Sequence, residues 1–369
     1  MSDYFCAHRA LATIDTDAIR HNFSLLRQHG ARGNRSTRLI AVVKANAYGH
    51  GIALVVPALV AAGCDFFAVA TLEEALTVRL LAPRADILIL GYTPPQSATL
   101  LSEARITQTV FSAAYAAALA KSAKTHPVAV HIKVDCGMHR LGFAPEAVEE
   151  IAAVAACPQL HTTGLYTHFP VADSDLAATR YAFSQFLRCR QQLAARGLHL
   201  FSHAAASAAL LSLPEAVLDG ARPGIALYGI PTVGTALPLR PAMTLSAPVV
   251  QLRHLPEGTP VGYGGAFVTK RPTLVGICAI GYGDGLPRAA EGFTATLLHE
   301  KEAFSAPVIG HICMDQTFLD LTDTPAAPGD RVLLWDDPRP LAAHVGTIPY
   351  EIFTAVSPRV ERKKKGAAT

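Results

Sequence analysis

The sequence predicts an α/β protein in which a closed (β/α)8 barrel is followed by a mainly β domain. Strand-like and helix-like segments alternate from residue 39 to residue 228, which indicates parallel strands joined by helical crossovers. Eight of these segments are strand-like, the count that closes such a barrel. From residues 237–241 onward Pro and Gly are frequent and apolar runs are short, as in all-β domains. We therefore expect a barrel over 10–238 and a β-rich domain over 239–369 together with the extreme N-terminus.

Short apolar runs bounded by turn residues mark the expected strands. In the barrel they are Leu39–Val43, Phe66–Ala70, Ile87–Leu90, Ile106–Phe111, Val128–Val134, Leu160–Thr167, His199–His203 and Ile225–Tyr228. In the second domain they are 247–252, 273–280, 295–298, 306–309, 318–321 and 332–334. The Lys363–Lys365 run is expected to be a solvated tail. A doubly wound sheet is the alternative, but no Gly-rich dinucleotide-binding loop follows an early strand.

Composition narrows the class of protein. Hydrophobic residues make up 50% of the 369 residues and charged residues 17%, so a large buried core is expected. A net charge of +3 is too small to suggest a nucleic-acid partner. None of the seven cysteines forms a C-x-x-C pair, so neither a metal site nor a disulfide framework is indicated. Without a signal peptide or a membrane-spanning apolar run, we expect a cytoplasmic protein.

The carboxyl ends of the expected barrel strands carry residues suited to catalysis, and barrel active sites lie at those ends. They are Lys44, Arg140, His168, His203, Ser207, Arg222 and Gly224. A lysine partly withdrawn from water has a lowered pKa, and its neutral amine can form a Schiff base. Each residue alone also has an ordinary explanation, as a solvated charge or a packing residue. Their common position favours a shared site.

Two features near the end of the barrel suit a phosphate group. The backbone N–H groups of Gly224 and Ile225 follow an arginine, and Ser207 opens an expected short helix whose N-terminus favours negative charge. A tight turn is the competing explanation for Gly224. A phosphate site and a Schiff-base lysine on one barrel together suggest pyridoxal 5′-phosphate (PLP).

Residues 43–51 read Val-Lys-Ala-Asn-Ala-Tyr-Gly-His-Gly, which resembles the cofactor-lysine motif of bacterial alanine racemases. Further motifs of that family are matched in the same order along nearly the whole chain. They lie at residues 133–142, 167–169, 203–207, 222–229, 261–265, 280–285 and 310–316. Two positions depart from the family pattern: Ala206 precedes the phosphate serine where the family usually has Asn, and Pro358 replaces a second tyrosine.

The resemblance implies an alanine racemase, a PLP enzyme that interconverts L-alanine and D-alanine with two bases. Lys44 would carry the cofactor and act on one face, and Tyr263 would act on the other from the partner subunit of a head-to-tail homodimer. The implied phosphate-binding residues are Tyr48, Ser207, Gly224 and Ile225. Arg222 would face the pyridine nitrogen, with His168 hydrogen-bonded behind it.

The remaining implied roles concern the substrate and its surroundings. Arg140 and the backbone N–H of Met314 would hold the substrate carboxylate, and Lys133, at a position often carbamylated in the family, would fix Arg140. Tyr282 and Asp315 match supporting positions, and Asp315 lies on the Tyr263 side of the site. No metal, membrane or nucleic-acid partner is implied.

The chemistry agrees with these roles. Racemisation removes a proton from one face of the substrate and returns one to the other, so a base on each face is the direct solution. Arginine does not give up its proton, so Arg222 would leave the ring nitrogen unprotonated and weaken the electron sink. The alternatives are a broader amino-acid racemase acting on serine as well, a barrel-type PLP decarboxylase, and a non-catalytic PLP-binding barrel, which lacks the second domain.

Overall fold

The structure, a computed structural model, describes residues 9–124 and 126–366. These residues form two compact units. The first comprises residues 17–47 and 52–240, and the second comprises residues 48–51 with the described parts of 1–16 and 241–369. The extreme N-terminus that was predicted to join the second domain lies, for residues 1–8, outside the described residues. No helix among the described residues is long and apolar enough to cross a bilayer.

The first unit is the predicted barrel. Its parallel strands are Arg38–Leu39 with Ala41–Val42, Phe66–Val69, Asp86–Ile89, Thr107–Val110, Val128–Lys133, Leu160–Tyr166, Phe201–Ala206 and Gly220–Arg222. Neighbours in sequence pair with each other, and the last strand pairs with Arg38–Leu39, which closes the sheet. Its helices are Thr16–Gly33, Ile52–Ala61, Leu72–Leu81, Ala98–Glu103, Ala113–Ser122, Val148–Ala155, Leu176–Ala194 and Ser207–Ser212.

The predicted eighth strand was wrong. Ile225–Tyr228 is a turn of 3-10 helix, and the strand that closes the barrel is Gly220–Arg222. All four residues of the helical turn are buried, and the Tyr228 hydroxyl donates a hydrogen bond to the Val42 carbonyl at 3.1 Å. A short apolar run fits a buried helical turn as well as a buried strand, so its pattern cannot distinguish them.

The second unit is built on a mostly antiparallel sheet of eight strands. In spatial order they are Thr273–Cys278, Thr317–Asp320, Glu302–Ile309, Thr294–His299, Arg331–Trp335, Met243–Leu255, Leu11–Ile14 and Glu361–Lys364. Met243–Leu255 pairs also with Thr273–Cys278, so the first six strands form a closed circuit. Two helices, Pro338–Val345 and Pro349–Ala355, and a hairpin of Pro260–Val261 with Phe267–Val268 complete the unit.

Both ends of the described chain enter this sheet, which differs from two expectations. Leu11–Ile14, inside the range predicted for the barrel, is antiparallel to Met243–Leu255. The Lys363–Lys365 run was expected to be a solvated tail, but its first two residues belong to the strand Glu361–Lys364, which is parallel to Leu11–Ile14. Lys365 forms a 2.9 Å ion pair with Asp15. Lysines are common on edge strands because their charge discourages pairing with another chain.

Candidate active site

Lys44 lies two residues beyond the end of the strand Ala41–Val42, at the carboxyl end of the barrel, and is half-buried. Burial lowers the pKa of Lys44, the positive charge of Arg140 lowers it further, and the carboxylate of Glu74 partly opposes both. A lowered pKa raises the fraction of neutral amine at a given pH, and the neutral amine is the nucleophile.

The backbone after Lys44 forms a left-handed turn. Ala45, Asn46, Ala47 and Tyr48 have φ angles of 53°, 53°, 55° and 51°. The left-handed conformation costs a non-glycine residue roughly 1–2 kcal/mol, and strain of this kind is concentrated at functional sites. The turn is held by hydrogen bonds from the Ala47 N–H to the Val43 carbonyl at 2.9 Å and from the Ile52 N–H to the Asn46 Oδ1 at 2.8 Å.

Glu74 fixes the start of this turn. Its carboxylate accepts the Ala45 N–H at 2.6 Å and the Ala70 N–H at 2.8 Å, and so joins the lysine turn to the end of the next barrel strand. This role was not predicted from the sequence. Thr71 and Glu74 have the spacing of a helix-capping pair, which explains Glu74 without reference to the site.

Arg222 is buried in the barrel and is held by four hydrogen bonds. Nη1 donates to His203 Nδ1 at 2.6 Å and to the His203 carbonyl at 2.8 Å, and Nη2 donates to the carbonyls of Thr167 at 2.6 Å and Ala204 at 3.0 Å. Within the described residues no acceptor lies at its Nε–H. Burial lowers the pKa of Arg222 to about 10, so the guanidinium stays charged at neutral pH.

The hydrogen bond expected between His168 and Arg222 is made by His203 instead. His203 is completely buried, and burial together with Arg222 lowers its pKa well below the ordinary value. His168 is near the same charges: burial, then Arg222 and Arg140, lower its pKa to about 3. Both imidazoles are therefore neutral at neutral pH. The sequence predicted that His203 lies at the strand ends, but it did not predict the hydrogen bond with Arg222.

Three of the predicted phosphate-binding residues, Ser207, Gly224 and Ile225, lie together at the start of the helix Ser207–Ser212. Ser207 Oγ accepts the Gly224 N–H at 2.9 Å and the Ala226 N–H at 3.3 Å, which leaves its own O–H free to donate to an anion. Ile225 is buried, and its N–H reaches no acceptor among the described residues. A buried N–H group calls for an acceptor, and a phosphate oxygen fits this donor set.

The loop that carries Arg140 is organised by Asp135. The carboxylate accepts four successive backbone N–H groups, from residues 137 to 140, at 2.9–3.1 Å. Burial alone would raise the pKa of Asp135, but the hydrogen bonds from His139 and Gly137 hold it below its usual range. The Arg140 side chain is exposed, so a single chain presents this cation to solvent.

Lys133 is buried at the end of its strand, and its Nζ donates to the Leu141 carbonyl. Burial lowers the pKa of Lys133. The carboxylate of Asp135 acts to raise it, and the charges of Arg140 and Arg222 lower it further. A carbamate forms from a neutral amine, so this environment is compatible with the modification that the resemblance implies.

Tyr48 is buried in the second unit, where its ring centre lies 6.0 Å from that of Tyr350. Burial raises the pKa of Tyr48, and Tyr350 adds to the effect, so its hydroxyl keeps its proton and can donate. Tyr350 is a second tyrosine beside the expected phosphate ligand in a chain that has Pro358 at the family's tyrosine position.

Tyr263 lies on the surface of the second unit and is 70% exposed. It lines an open cleft of about 580 Å³ together with Gly262, Cys313, Met314, Asp315, Gln316 and Phe318. Gly262 and Gly264, on either side, have φ angles of 73° and 68°, which side chains rarely adopt. The glycines thus let the chain turn sharply and present the tyrosine outward.

The loop that carries Met314 is fixed by the neighbouring Tyr282 loop. The N–H of Tyr282 donates to the Cys313 carbonyl at 3.0 Å, and the N–H of Gly283 donates to the Met314 carbonyl at 2.8 Å. A Cβ on Gly281 would lie 2.2 Å from the Cys313 carbonyl oxygen, so only glycine permits this approach. The Met314 N–H has no acceptor among the described residues and remains available as a donor.

A charge network supports the same loops and was not predicted. Asp284 is fully buried and accepts from Arg9 at 3.0 Å, from Arg359 at 2.8 Å and from the Gly281 N–H at 3.0 Å. Arg359 also pairs with Asp315 at 2.5 Å. Asp315, predicted as a supporting residue, is thereby tied to the loop of Tyr282. Arginine pairs separated by 75 and 275 residues leave no local signal in the sequence.

These features define a class of protein: a barrel with a half-buried lysine of lowered pKa beyond a strand end, a buried arginine with one unused donor, and backbone and hydroxyl donors suited to an anion. Two family models cover almost all of the chain, described as "Alanine racemase, N-terminal domain" over residues 14–231 and "Alanine racemase, C-terminal domain" over residues 242–364. The chain therefore belongs to the alanine racemase family.

Individual relatives agree with the family models. An alanine racemase of Desulfovibrio desulfuricans is 40% identical over 366 residues, which are 95% of this chain and 96% of that protein. The biosynthetic alanine racemase of Pseudomonas aeruginosa matches with a TM-score of 0.85 and 36% identity, covering 97% of this chain and 99% of that one. The alanine racemase of Bartonella henselae, described with covalently bound pyridoxal phosphate, matches with a TM-score of 0.86 and 31% identity, covering 96% and 99%.

The matches confirm the predicted family, the barrel followed by a β-rich domain, and the enzyme class, whose members depend on PLP. The individual site residues and their roles stay predictions, as do the domain boundaries.

Proposed function

We propose that this protein is an alanine racemase that interconverts L-alanine and D-alanine with PLP as its cofactor. The observation that carries the proposal is the environment of Lys44: a half-buried amine with a lowered pKa at a barrel-strand end, within a chain of this family. Bound PLP supplies the electron sink that makes the α-proton of an amino acid removable.

Residues of the barrel, together with Tyr48, would bind and orient the cofactor. Lys44 would hold the cofactor covalently through its neutral amine. The Ser207 hydroxyl, the N–H groups of Gly224 and Ile225 and the Tyr48 hydroxyl would hold the phosphate. Arg222 uses its Nη atoms for contacts within the barrel, so its Nε–H is left to face the pyridine nitrogen of the cofactor. His168 lies among the charges of Arg222 and Arg140 and contributes a neutral imidazole to the same region.

Proton transfer uses one base on each face. Lys44 takes or returns the α-proton on one face, and Tyr263 does so on the other. The exposure of Tyr263 (70%), Met314 (52%) and Tyr282 (45%) supports a site completed by the partner subunit of a head-to-tail homodimer. A tyrosine needs cationic neighbours to serve as a base, and exposed Arg140 is available to act as one in a shared site.

The substrate carboxylate is held by Arg140 and by the Met314 N–H. Asp135 fixes the loop of Arg140, and Lys133, as a carbamate, restrains its side chain. Tyr282 and Asp315 hold the loop of Met314 through backbone hydrogen bonds and the Arg359 ion pair. In the cytoplasm the enzyme either supplies D-alanine for peptidoglycan or serves the degradation of D-alanine.

The test is to incubate the pure protein with PLP and L-alanine in heavy water and follow both the α-proton and the product. The expected result is loss of the α-proton together with formation of D-alanine, and no exchange with Lys44→Ala. Release of carbon dioxide would identify the decarboxylase alternative, and PLP binding without exchange would identify a cofactor-binding protein. Equally fast exchange of L-serine would replace the alanine racemase by a broader one.

A further inference from the structure

Behind Arg222 lies a buried pair of histidines that the proposed reaction does not use. His131, on the strand Val128–Lys133, and His203, on Phe201–Ala206, point into the barrel, and His131 Nδ1 lies 2.9 Å from His203 Nε2. His203 Nδ1 in turn lies 2.6 Å from Arg222 Nη1. The three side chains thus form a continuous hydrogen-bonded line.

The chemistry of arginine sets the direction of every bond in this line. A guanidinium only donates, so His203 Nδ1 must be the acceptor and the proton of neutral His203 must lie on Nε2. That Nε2–H then donates to His131 Nδ1, which puts the proton of His131 on its own Nε2. Burial, followed by the charge of Arg222, lowers the pKa of His131 to about 3 and holds that of His203 well below its ordinary value, so both rings stay neutral.

The backbone is built to admit the His131 ring. The pairing between Val128–Lys133 and Leu160–Tyr166 shifts register between Val130 and His131, where an irregularity brings Gly164 opposite His131. A Cβ on Gly164 would lie 2.5 Å from His131 Nε2, closer than any side chain allows. Such shifts re-aim side chains, and here an imidazole occupies the space that the glycine leaves.

Aromatic rings and one buried cation, Arg222, surround His131 and His203 and keep both imidazoles neutral. Tyr166 stacks on His203 with ring centres 4.8 Å apart, and the rings of Phe66 and Phe201 pack against His131. His131 also lines a cleft of about 460 Å³ that includes the ion-paired Arg38 and Asp86, as well as Arg105. Arg222 is the charge that acts on both imidazoles.

We propose that His131 is a positioning residue for Arg222: by accepting the His203 Nε2–H, it keeps the His203 Nδ1 lone pair turned toward the guanidinium. Arg222 then has all four Nη–H bonds satisfied and retains its Nε–H for the cofactor. This last step rests on the proposed function, whereas the arrangement of protons does not. Without the acceptor on His131, His203 can carry its proton on Nδ1, where it opposes the Arg222 N–H.

A matched pair of variants separates this role from packing. His131→Asn keeps an acceptor oxygen near the position of Nδ1, whereas His131→Leu has similar bulk and no acceptor. Nitrogen NMR of the full-length protein labelled at histidine, with His203→Asn to assign the signals, reports which ring nitrogen carries the proton. PLP affinity is measured separately by absorption titration of the apoprotein.

We expect His203 protonated on Nε2 in the wild type and in His131→Asn, and a mixture of tautomers in His131→Leu. PLP should bind roughly tenfold more weakly to His131→Leu, the effect of losing one hydrogen bond to a charged group, and about as tightly to His131→Asn as to the wild type. If His131→Leu does not fold, Gly164→Ala, which displaces the ring but keeps both histidines, should give the same loss.

An unchanged His203 tautomer in His131→Leu or Gly164→Ala overturns the positioning role, even if PLP affinity falls. Equal losses in His131→Asn and His131→Leu overturn it as well, because packing alone would then explain them. The wild type could show the expected tautomers, and His131→Leu could lose them, while the wild type binds no PLP. In that case the arrangement of protons is confirmed and the proposed function is wrong.

Discussion

The two proposed bases stand in very different surroundings. Lys44 is half-buried, the turn after it is fixed by a backbone N–H that donates to Glu74, and the loop of Arg140 is fixed by N–H groups that donate to Asp135. Tyr263 is 70% exposed on a loop bent at Gly262 and Gly264. A catalytic group needs a defined position, and a side chain in open solvent has none.

The difference fits the proposed homodimer, in which one half of the site is built within a single chain and the other half comes from the partner subunit. Barrel variants should therefore act in the chain that carries them, whereas variants of the second unit should act through assembly. The following experiments test that division, from the largest expected effect to the smallest.

Lys44→Ala should lower racemisation by at least about 10⁴-fold, because it removes both the covalent link and one base. The purified variant should also lack the visible absorption band of the lysine-bound cofactor. Racemisation is measured by the rate of D-alanine formation, and Tyr92→Phe, at an exposed tyrosine of the barrel unit, serves as the control. An unchanged band would show that another group holds the cofactor.

Tyr263→Phe should lower α-proton exchange from L-alanine by roughly 10²–10⁴-fold, the usual contribution of a general base. Exchange from D-alanine should fall far less, since Lys44 serves that isomer. The comparison is made by following loss of the α-proton of each isomer in heavy water. A mild and equal loss for both isomers would remove Tyr263 from the reaction.

Mixing Lys44→Ala with Tyr263→Phe chains should restore activity, because one of the two shared sites in each heterodimer then has both bases. The matched control mixes Lys44→Ala with a chain carrying both substitutions, which leaves every site defective. Activity is assayed on heterodimers isolated with two different affinity tags. Without recovery in such heterodimers, Tyr263 would act within its own chain.

Local patterns in the sequence suffice to predict the barrel and the residues at its strand ends. Alternation and strand-end position single out Lys44, Arg140 and Ser207, because these features depend on residues a few positions apart. They do not identify Glu74, whose carboxylate joins two backbone groups from different strands, or His203 as the partner of Arg222. Those contacts depend on how distant segments meet.

The backbone is harder still to predict. Ala45 and Ala47 are good helix formers, and nothing local signals their left-handed conformation. The run Ile225–Tyr228 has the pattern of a strand because apolarity indicates burial rather than conformation. In the second unit, the lysines of the strand Glu361–Lys364 are typical of a solvated segment. Its pairing with Leu11–Ile14 joins the two ends of the chain and leaves no local pattern.

The buried histidines should make the barrel sensitive to acid. The pKa of His131 is about 3 in the folded chain and about 6.5 when unfolded, so below pH 6.5 the unfolded state binds the extra proton and stability falls toward pH 3. At pH 5 this one residue should cost about 2 kcal/mol. Urea denaturation from pH 7.5 to pH 5 should show a smaller decline for His131→Asn and no difference from wild type for exposed His161→Asn. Parallel curves for His131→Asn and wild type would contradict a buried neutral imidazole.

The left-handed turn provides the most local test, since it asks whether the region of Lys44 stores strain. Ala45→Gly should stabilise the protein by about 1 kcal/mol, because glycine adopts a positive φ without the penalty that a side chain incurs. Ala117→Gly, at an exposed position inside the helix Ala113–Ser122, should destabilise it by about 0.5–1 kcal/mol through the greater freedom of the unfolded chain. Both substitutions remove one exposed methyl group, so opposite signs in denaturant unfolding isolate the backbone strain. Destabilisation by both would mean that the turn is relaxed, and that the Glu74 hydrogen bond alone positions the lysine.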